Sequence, residues 1–171
     1  SLSDLVEATG AKAPTLYAEF TNKEGLFRAV LDRYISRFAA KHEAQLFCEE
    51  KSVEQALQDY FCAVATCFTS KDTPAGCFMI NTSATLAASS KEIANTVKSR
   101  HAMQEETLST FLAQRQQRGE IPAHCSPQEL AQYLSCILQG MSISAREGAT
   151  LEKLQSITQT TLRLWPELLK L

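Results

Sequence analysis

The sequence predicts an all-α protein, in which a small N-terminal helix-turn-helix precedes a larger helical bundle that dimerises through its last two helices. Three observations predict it. Apolar residues recur at spacings of three and four throughout, and no segment alternates with period two for long enough to form a sheet. Hydroxyl residues followed three positions later by Glu or Gln, the pattern that satisfies the free N–H groups opening a helix, occur at Thr21/Glu24, Ser52/Gln55, Ser89/Glu92 and Ser126/Glu129. Gly10, Gly76, Gly119 and Gly148 fall where periodic runs stop, whereas Gly25 and Gly140 fall inside them.

Taken in order, Leu2 to Thr9 and Ala13 to Phe20 are two short helical patterns separated by Gly10-Ala11-Lys12. From Lys23 the row Leu26, Phe27, Val30, Leu31, Tyr34 and Phe38 predicts one helix running to about Phe47. Leu57, Tyr60, Phe61, Val64 and Phe68 give the next, which ends at a loop containing Pro74. A shorter helix covers Phe78 to Ala88. A long one from Lys91 carries Ile93, Val97, Leu108, Phe111 and Leu112 until Gly119 stops it. Pro127, with no N–H to lose and a helical φ already fixed, opens a helix to Ala145, and the last runs from Leu151 to about Leu169. The boundary between the two domains is placed at residues 1–45 and 46–171.

The last two helices carry excess apolar surface. No charge occurs from Leu130 to Ala145, and a helix uncharged all round is buried on more than one side. Leu130, Leu134, Ile137 and Met141, with Leu154, Thr158, Leu162 and Trp165, are therefore expected to meet a symmetry mate in a homodimer.

The chain has 171 residues, 44% hydrophobic and 21% charged, which excludes rods and low-complexity tails and is enough to bury a core without disulfides. Its six cysteines form no C-x-x-C pair and follow no signal segment, so a reducing, cytoplasmic setting is expected. The charge-free stretches are too short or too rich in Ser, Thr and Asn to span a bilayer, so no membrane partner is expected. A net charge of −2 gives no bulk attraction to nucleic acid, so any DNA binding rests on local geometry.

That geometry is found at the N-terminus. Leu5, Ala8, Leu16 and Phe20 can form the seam holding the two short helices at a fixed angle, leaving Lys12, Ala13, Thr15, Ala18 and Glu19 outward. Small outward residues let a helix sink into a major groove, where Thr15 can bond a base edge and Ala13 can meet a thymine methyl. The run from Leu5 to Phe27, ending Leu16-Tyr17-Ala18-Glu19-Phe20-Thr21-Asn22-Lys23-Glu24-Gly25-Leu26, closely resembles the helix-turn-helix signature of TetR-type transcriptional regulators. The resemblance implies that Tyr17 and Lys23 hold DNA phosphates and that Lys12, Ala13 and Thr15 face bases or backbone. It also implies a further helix ahead of the motif, one that this chain, starting at Ser1, is expected to lack. Pro74-Ala75-Gly76-Cys77-Phe78, Arg118-Gly119-Glu120-Ile121 and Gln139-Gly140-Met141 look like landmarks of that family's C-terminal ligand-binding domain.

The resemblance implies a ligand-responsive repressor acting on a double-stranded, near-palindromic operator. Candidate residues for a small-molecule effector are those on inward faces that mix polar and soft apolar character: Phe61, Phe68, Phe78, Asn81, Thr82, Phe111, Arg115, Tyr133 and Gln139. Taken singly, each reads more readily as ordinary core than as a ligand contact. An alternative is a thiol-based redox or electrophile sensor centred on Cys77, which follows Gly76 at a helix start where the dipole favours a thiolate. No metal site is expected, since His42, His101 and His124 lack ligand spacing, and no cofactor is expected. Neither a nucleophile elbow nor a phosphate-binding glycine loop is present, so the chain is not expected to be an enzyme.

Overall fold

The computed structural model describes residues 2–86 and 90–170, and the described residues are helical with no strand. The elements are α1 (Leu2–Thr9), α2 (Ala13–Phe20), α3 (Lys23–Tyr34), α4 (Ala40–Leu46), α5 (Val53–Phe68), α6 (Phe78–Leu86), α7 (Lys91–Gln117), α8 (Pro127–Arg146) and α9 (Leu151–Leu168). Between α3 and α4 the chain stays helical through a π-helical turn, Ile35–Ala39. The single long helix expected from Lys23 is thus a rod with an i→i+5 segment near its middle, the kind of local widening that recurs at functional sites.

Two expected caps are confirmed and two are corrected. Ser52 accepts from the Gln55 N–H and Ser126 from the Glu129 N–H. At α3, however, the cap is Asn22, whose Oδ1 accepts from the Gly25 N–H at 2.8 Å. Thr21 instead closes α2 at φ 63°, with its N–H on the Tyr17 carbonyl. It turns the chain so sharply that the Asn22 N–H reaches the Phe20 carbonyl at 2.6 Å, the three-residue γ-turn. At α7 the cap is Ser90, accepting from the Ile93 N–H; the expected Ser89 lies outside the described residues.

The core is one cluster in which α7 packs along α8 and α5 along α9, with α4 laid on α5. Trp165, Phe61, Leu57, Leu134, Leu138 and Met141 are closed off from solvent inside it, and each large apolar side chain so buried is worth roughly 1.5–3 kcal/mol. Arg115 of α7 is buried in the same body, 4% exposed, and fully engaged. It pairs through Nη1 with both Glu120 oxygens at 3.0 and 3.1 Å, donates from Nη2 to the Cys48 carbonyl at 2.8 Å, and covers the Phe111 ring.

The stripe assigned to the dimer contact requires correction. Leu130, Leu134, Met141, Leu154, Thr158 and Trp165 are buried within the subunit itself, and Ile137 and Leu162 are half-buried against the same core. The most regular apolar rows of α8 and α9 are the ones α5 and α7 already cover. The faces left outward carry Cys136, Gly140, Ile143 and Leu164, the last two 41% and 47% exposed.

Candidate nucleic-acid interface and effector cavity

Gly10 ends α1 at φ 67°, a conformation without steric cost only for glycine, and its N–H bonds the Val6 carbonyl at 2.9 Å. Lys12 then supplies the extended residue before α2, and Pro14 lies in that helix's first turn. The angle between α2 and α3 is set by the γ-turn and by Gly25. A Cβ on Gly25 would overlap the Phe20 carbonyl oxygen and come within 3.2 Å of its carbon, so α3 can lie this close to the end of α2 only with glycine there.

Leu5, Leu16, Phe20 and Leu26 are half-buried at the meeting of the three helices, where with Tyr17, Asn22 and Lys23 they border a 100 Å³ cleft. Ala8, expected in that seam, is exposed instead. On the outer edge Lys12, Thr15, Tyr17 and Lys23 all face solvent, with Tyr17 53% exposed, while Ala13 is partly covered. An aromatic ring standing out beside a lysine and a threonine on a short helix is a surface fit for a phosphate backbone and a groove floor. Four of the five residues expected to face DNA are therefore exposed to solvent, and Tyr17 and Lys23 border the same cleft. Asn22 and Gly25, which position them, escaped the sequence reading; the one signal was a glycine inside a periodic run.

A second feature lies at the junction of α3, α5 and α6. Val30, Tyr34, Cys67, Pro74, Phe78, Asn81 and Thr82 border a cavity of 340 Å³. Tyr34 and Cys67 also border a second, narrow 30 Å³ space between α4, α5 and α7, walled by His42, Glu43, Tyr60, Phe68, Cys77, Met79 and Gln104. Of the nine expected effector residues, Phe78, Asn81 and Thr82 line the larger space and Phe68 the smaller. Phe61 and Phe111 are core, Arg115 serves its buried ion pair, Tyr133 is half-buried on α8, and Gln139 is exposed. Tyr34, Tyr60, Glu43 and Gln104 were missed, because only the packing of four helices brings them together.

Burial dominates the electrostatics of this region. It raises the Tyr34 phenol, helped by the neighbouring Cys77 and Cys67 thiols, and pushes Tyr60 up to about 12. It raises the Cys67 thiol, which disfavours the reactive thiolate. His42 is lowered by burial and by Lys41, and Glu43 is raised by burial. Cys77, expected at an exposed loop, is 4% exposed: its N–H bonds Ser142 Oγ at 2.7 Å, and its Sγ accepts from the Tyr34 hydroxyl at 3.7 Å. The neighbouring Gly76, at φ 84°, sits so close to Ser142 that a Cβ would fall 2.7 Å from its carbonyl oxygen, and this seals Cys77 in place. Among the described residues no helix is long and apolar enough to cross a membrane.

A helix-turn-helix with an exposed polar edge on a helical body with an internal cavity defines a one-component DNA-binding regulator, and comparison with known proteins bears on this directly. The family model for bacterial regulatory proteins of the tetR family matches residues 1–30, and that for the tetracyclin repressor-like C-terminal domain matches residues 53–161. The chain is 79% identical over 170 residues to the HTH-type transcriptional repressor ComR of Escherichia coli (strain K12), covering 99% of this chain and 81% of that protein. It is 27% identical over 154 residues to the repressor BdcR of the same organism, covering 90% and 73%. Its fold is similar to that of a cysteine mutant of the TetR family regulator CifR complexed with 26bp double-strand operator DNA, at TM-score 0.91 and 26% identity over 97% of this chain and 86% of that one. The chain belongs to the TetR family of transcriptional regulators, and its function is regulation of transcription through DNA rather than catalysis.

Proposed function

We propose that the protein is a cytoplasmic, ligand-responsive repressor that binds a near-palindromic operator as a homodimer, each subunit laying α2 in a major groove. Tyr17 and Lys23 hold phosphates, Lys12 steadies the start of the helix, and Thr15 and Ala13 read bases. The observation that carries this reading is the exposure of Lys12, Thr15, Tyr17 and Lys23 on a helix-turn-helix whose α2–α3 approach is fixed by Gly25. The exposed row Cys136, Gly140, Ile143 and Leu164 on α8 and α9 meets its twofold copy and sets the distance between the two heads.

The cavity bordered by Tyr34, Phe78, Asn81 and Thr82 receives the effector. Both half-sites must be met at once, so a ligand that changes the spacing of the heads weakens the second contact and with it the whole complex. Selection of bound duplexes from a random pool tests the DNA reading and should return an inverted repeat. Lys23→Ala should then weaken binding to every sequence alike and flatten its salt dependence by about two units, one per subunit, whereas Thr15→Ala should change base preference. Recovery of no motif, or a uniform loss from Thr15→Ala, would remove the assigned roles.

A further inference from the structure

The two neighbouring spaces beside α3, which share Tyr34 and Cys67 as wall, differ in character. The 340 Å³ cavity is bordered by Val30, Phe78, Pro74 and the Tyr34 ring, with Asn81 and Thr82 at one side. The narrow space beyond Tyr34 and Cys67 has the volume of a water-sized group and is walled by Tyr60, Gln104, His42 and Glu43. Among the described residues, neither space is bordered by a lysine or an arginine.

Glu43 is half-buried there, and among the described residues it has no ion-pair partner. The groups that could answer its charge are committed elsewhere. Arg100, which borders another face of Glu43, places Nη2 on Asp32 Oδ1 at 2.7 Å and Nη1 toward Met103 Sδ. Lys41 is exposed, and burial together with its charge lowers His42, disfavouring the protonated ring. Gln104 is turned to Tyr60, its Nε2 donating to the hydroxyl at 3.4 Å. The slot is thus the end of an otherwise apolar, aromatic-walled space that holds a half-buried carboxyl group with no ion-pair partner among the described residues. A carboxylate removed from water without a partner is unfavourable until a cation supplies one, and faces of Tyr34 and Tyr60 favour the same sign of charge.

We propose that the cavity takes a small organic monocation, a primary or secondary ammonium head in the slot against Glu43 and an aromatic or branched apolar body against Phe78 and Val30. The inference rests on the reading of this cavity as the effector site and names the ligand's chemical class. A bulky quaternary head is excluded by the size of the slot, and an anion by the charge.

The test uses the whole protein and three probes of one shape, 4-phenylbutylammonium, 4-phenylbutan-1-ol and 4-phenylbutanoate, with affinities from calorimetry. Protection of the cavity-lining Cys67 from N-ethylmaleimide locates each probe. The ammonium should bind roughly tenfold or more tightly than the alcohol, as a charge-assisted bond outweighs a neutral one, and the carboxylate should not bind. Glu43→Gln should reduce the ammonium to the level of the alcohol. Gln104→Glu, which adds a second carboxylate, should widen the difference, and this second variant keeps the test decisive if the first does not fold. Equal binding of alcohol and ammonium, tightest binding of the carboxylate, or an ammonium preference that survives Glu43→Gln would overturn the ligand class while leaving the cavity as a binding site. Failure of all three probes to bind or to protect Cys67 would overturn both the class and the effector reading.

Discussion

Gly25→Ala tests how the reading head is held. In the third position of α3 an alanine should help, since Ala exceeds Gly by up to about 1 kcal/mol in a helix. Against that stands the overlap of the new Cβ with the Phe20 carbonyl. The obstacle is backbone rather than the end of a flexible side chain, and it is tied down, because the same oxygen accepts from the Asn22 N–H at 2.6 Å. Relief requires α2 and α3 to part by about 1 Å, and forced overpacking of this kind costs roughly 1–3 kcal/mol. The repulsion wins. We expect a net loss of about 1–2 kcal/mol, or roughly 2–8 °C in Tm for a chain of this length when the head melts with the body. Operator affinity should fall further than stability, by about tenfold or more, because base contacts tolerate only about 0.5 Å of misplacement. Differential scanning calorimetry and titration of the selected duplex measure the two effects. A Gly25→Ala protein that melts higher and binds DNA as tightly as the parent would refute the close approach of α2 and α3.

Three further outcomes are expected. Arg115→Ala returns the exposed Glu120 to water but leaves the Cys48 carbonyl without its donor and opens space beside Phe111, and should cost about 1–3 kcal/mol, seen as a drop in the urea midpoint; an unchanged midpoint would make the Arg115 contacts incidental. Ser142→Ala leaves the Cys77 N–H buried without an acceptor and should cost about 1–3 kcal/mol, whereas Ser142→Thr, which keeps the oxygen, should retain part of it; equal losses would assign the effect to packing. Ile143→Glu together with Leu164→Glu should give monomers on size exclusion with little change in Tm, while Leu134→Glu should unfold the subunit. An unchanged dimer in the double variant would move the interface away from the outer faces of α8 and α9.

What could be read from the sequence divides along the range of the interactions concerned. Ser52 and Ser126 were legible as caps because a cap is decided within four residues. The helix-turn-helix was legible for the same reason, since Leu16, Tyr17, Phe20 and Lys23 fall on fixed faces of short helices. Thr21 misled because Asn22 beside it is an equally good acceptor, and the choice between them was made by a γ-turn that follows from the docking of α3 on α2. Periodicity showed that α8 has two apolar sides; it held no information on which side α5 and α7 would take, so Leu134 and Trp165 were assigned to a partner. Glu43, Tyr60 and Gln104 lie far apart in the chain and share a wall only after α4, α5 and α7 have packed, which no local pattern encodes.

The same packing explains how one end of the molecule can answer to the other. The α2 helix is fixed to α3 by the γ-turn and Gly25, and α3 continues through the π-helical turn into α4 as one rod. Two ion pairs, Arg28–Glu92 and Asp32–Arg100, hold the upper part of that rod to α7. At its far end Arg115 grips the Cys48 carbonyl and Arg118 pairs with Glu49 at 2.7 Å. The stretch between these clamps holds Tyr34, the π-helical turn, His42 and Glu43, and it forms a wall of both cavity spaces. A molecule wedged between Tyr34 and Phe78 pushes on the rod where it is unclamped and where its hydrogen-bond register is already irregular. On the proposed reading of this cavity as the effector site, the rod is expected to yield at the π turn, and α2 tilts only as far as the Arg28–Glu92 and Asp32–Arg100 pairs let its upper end move.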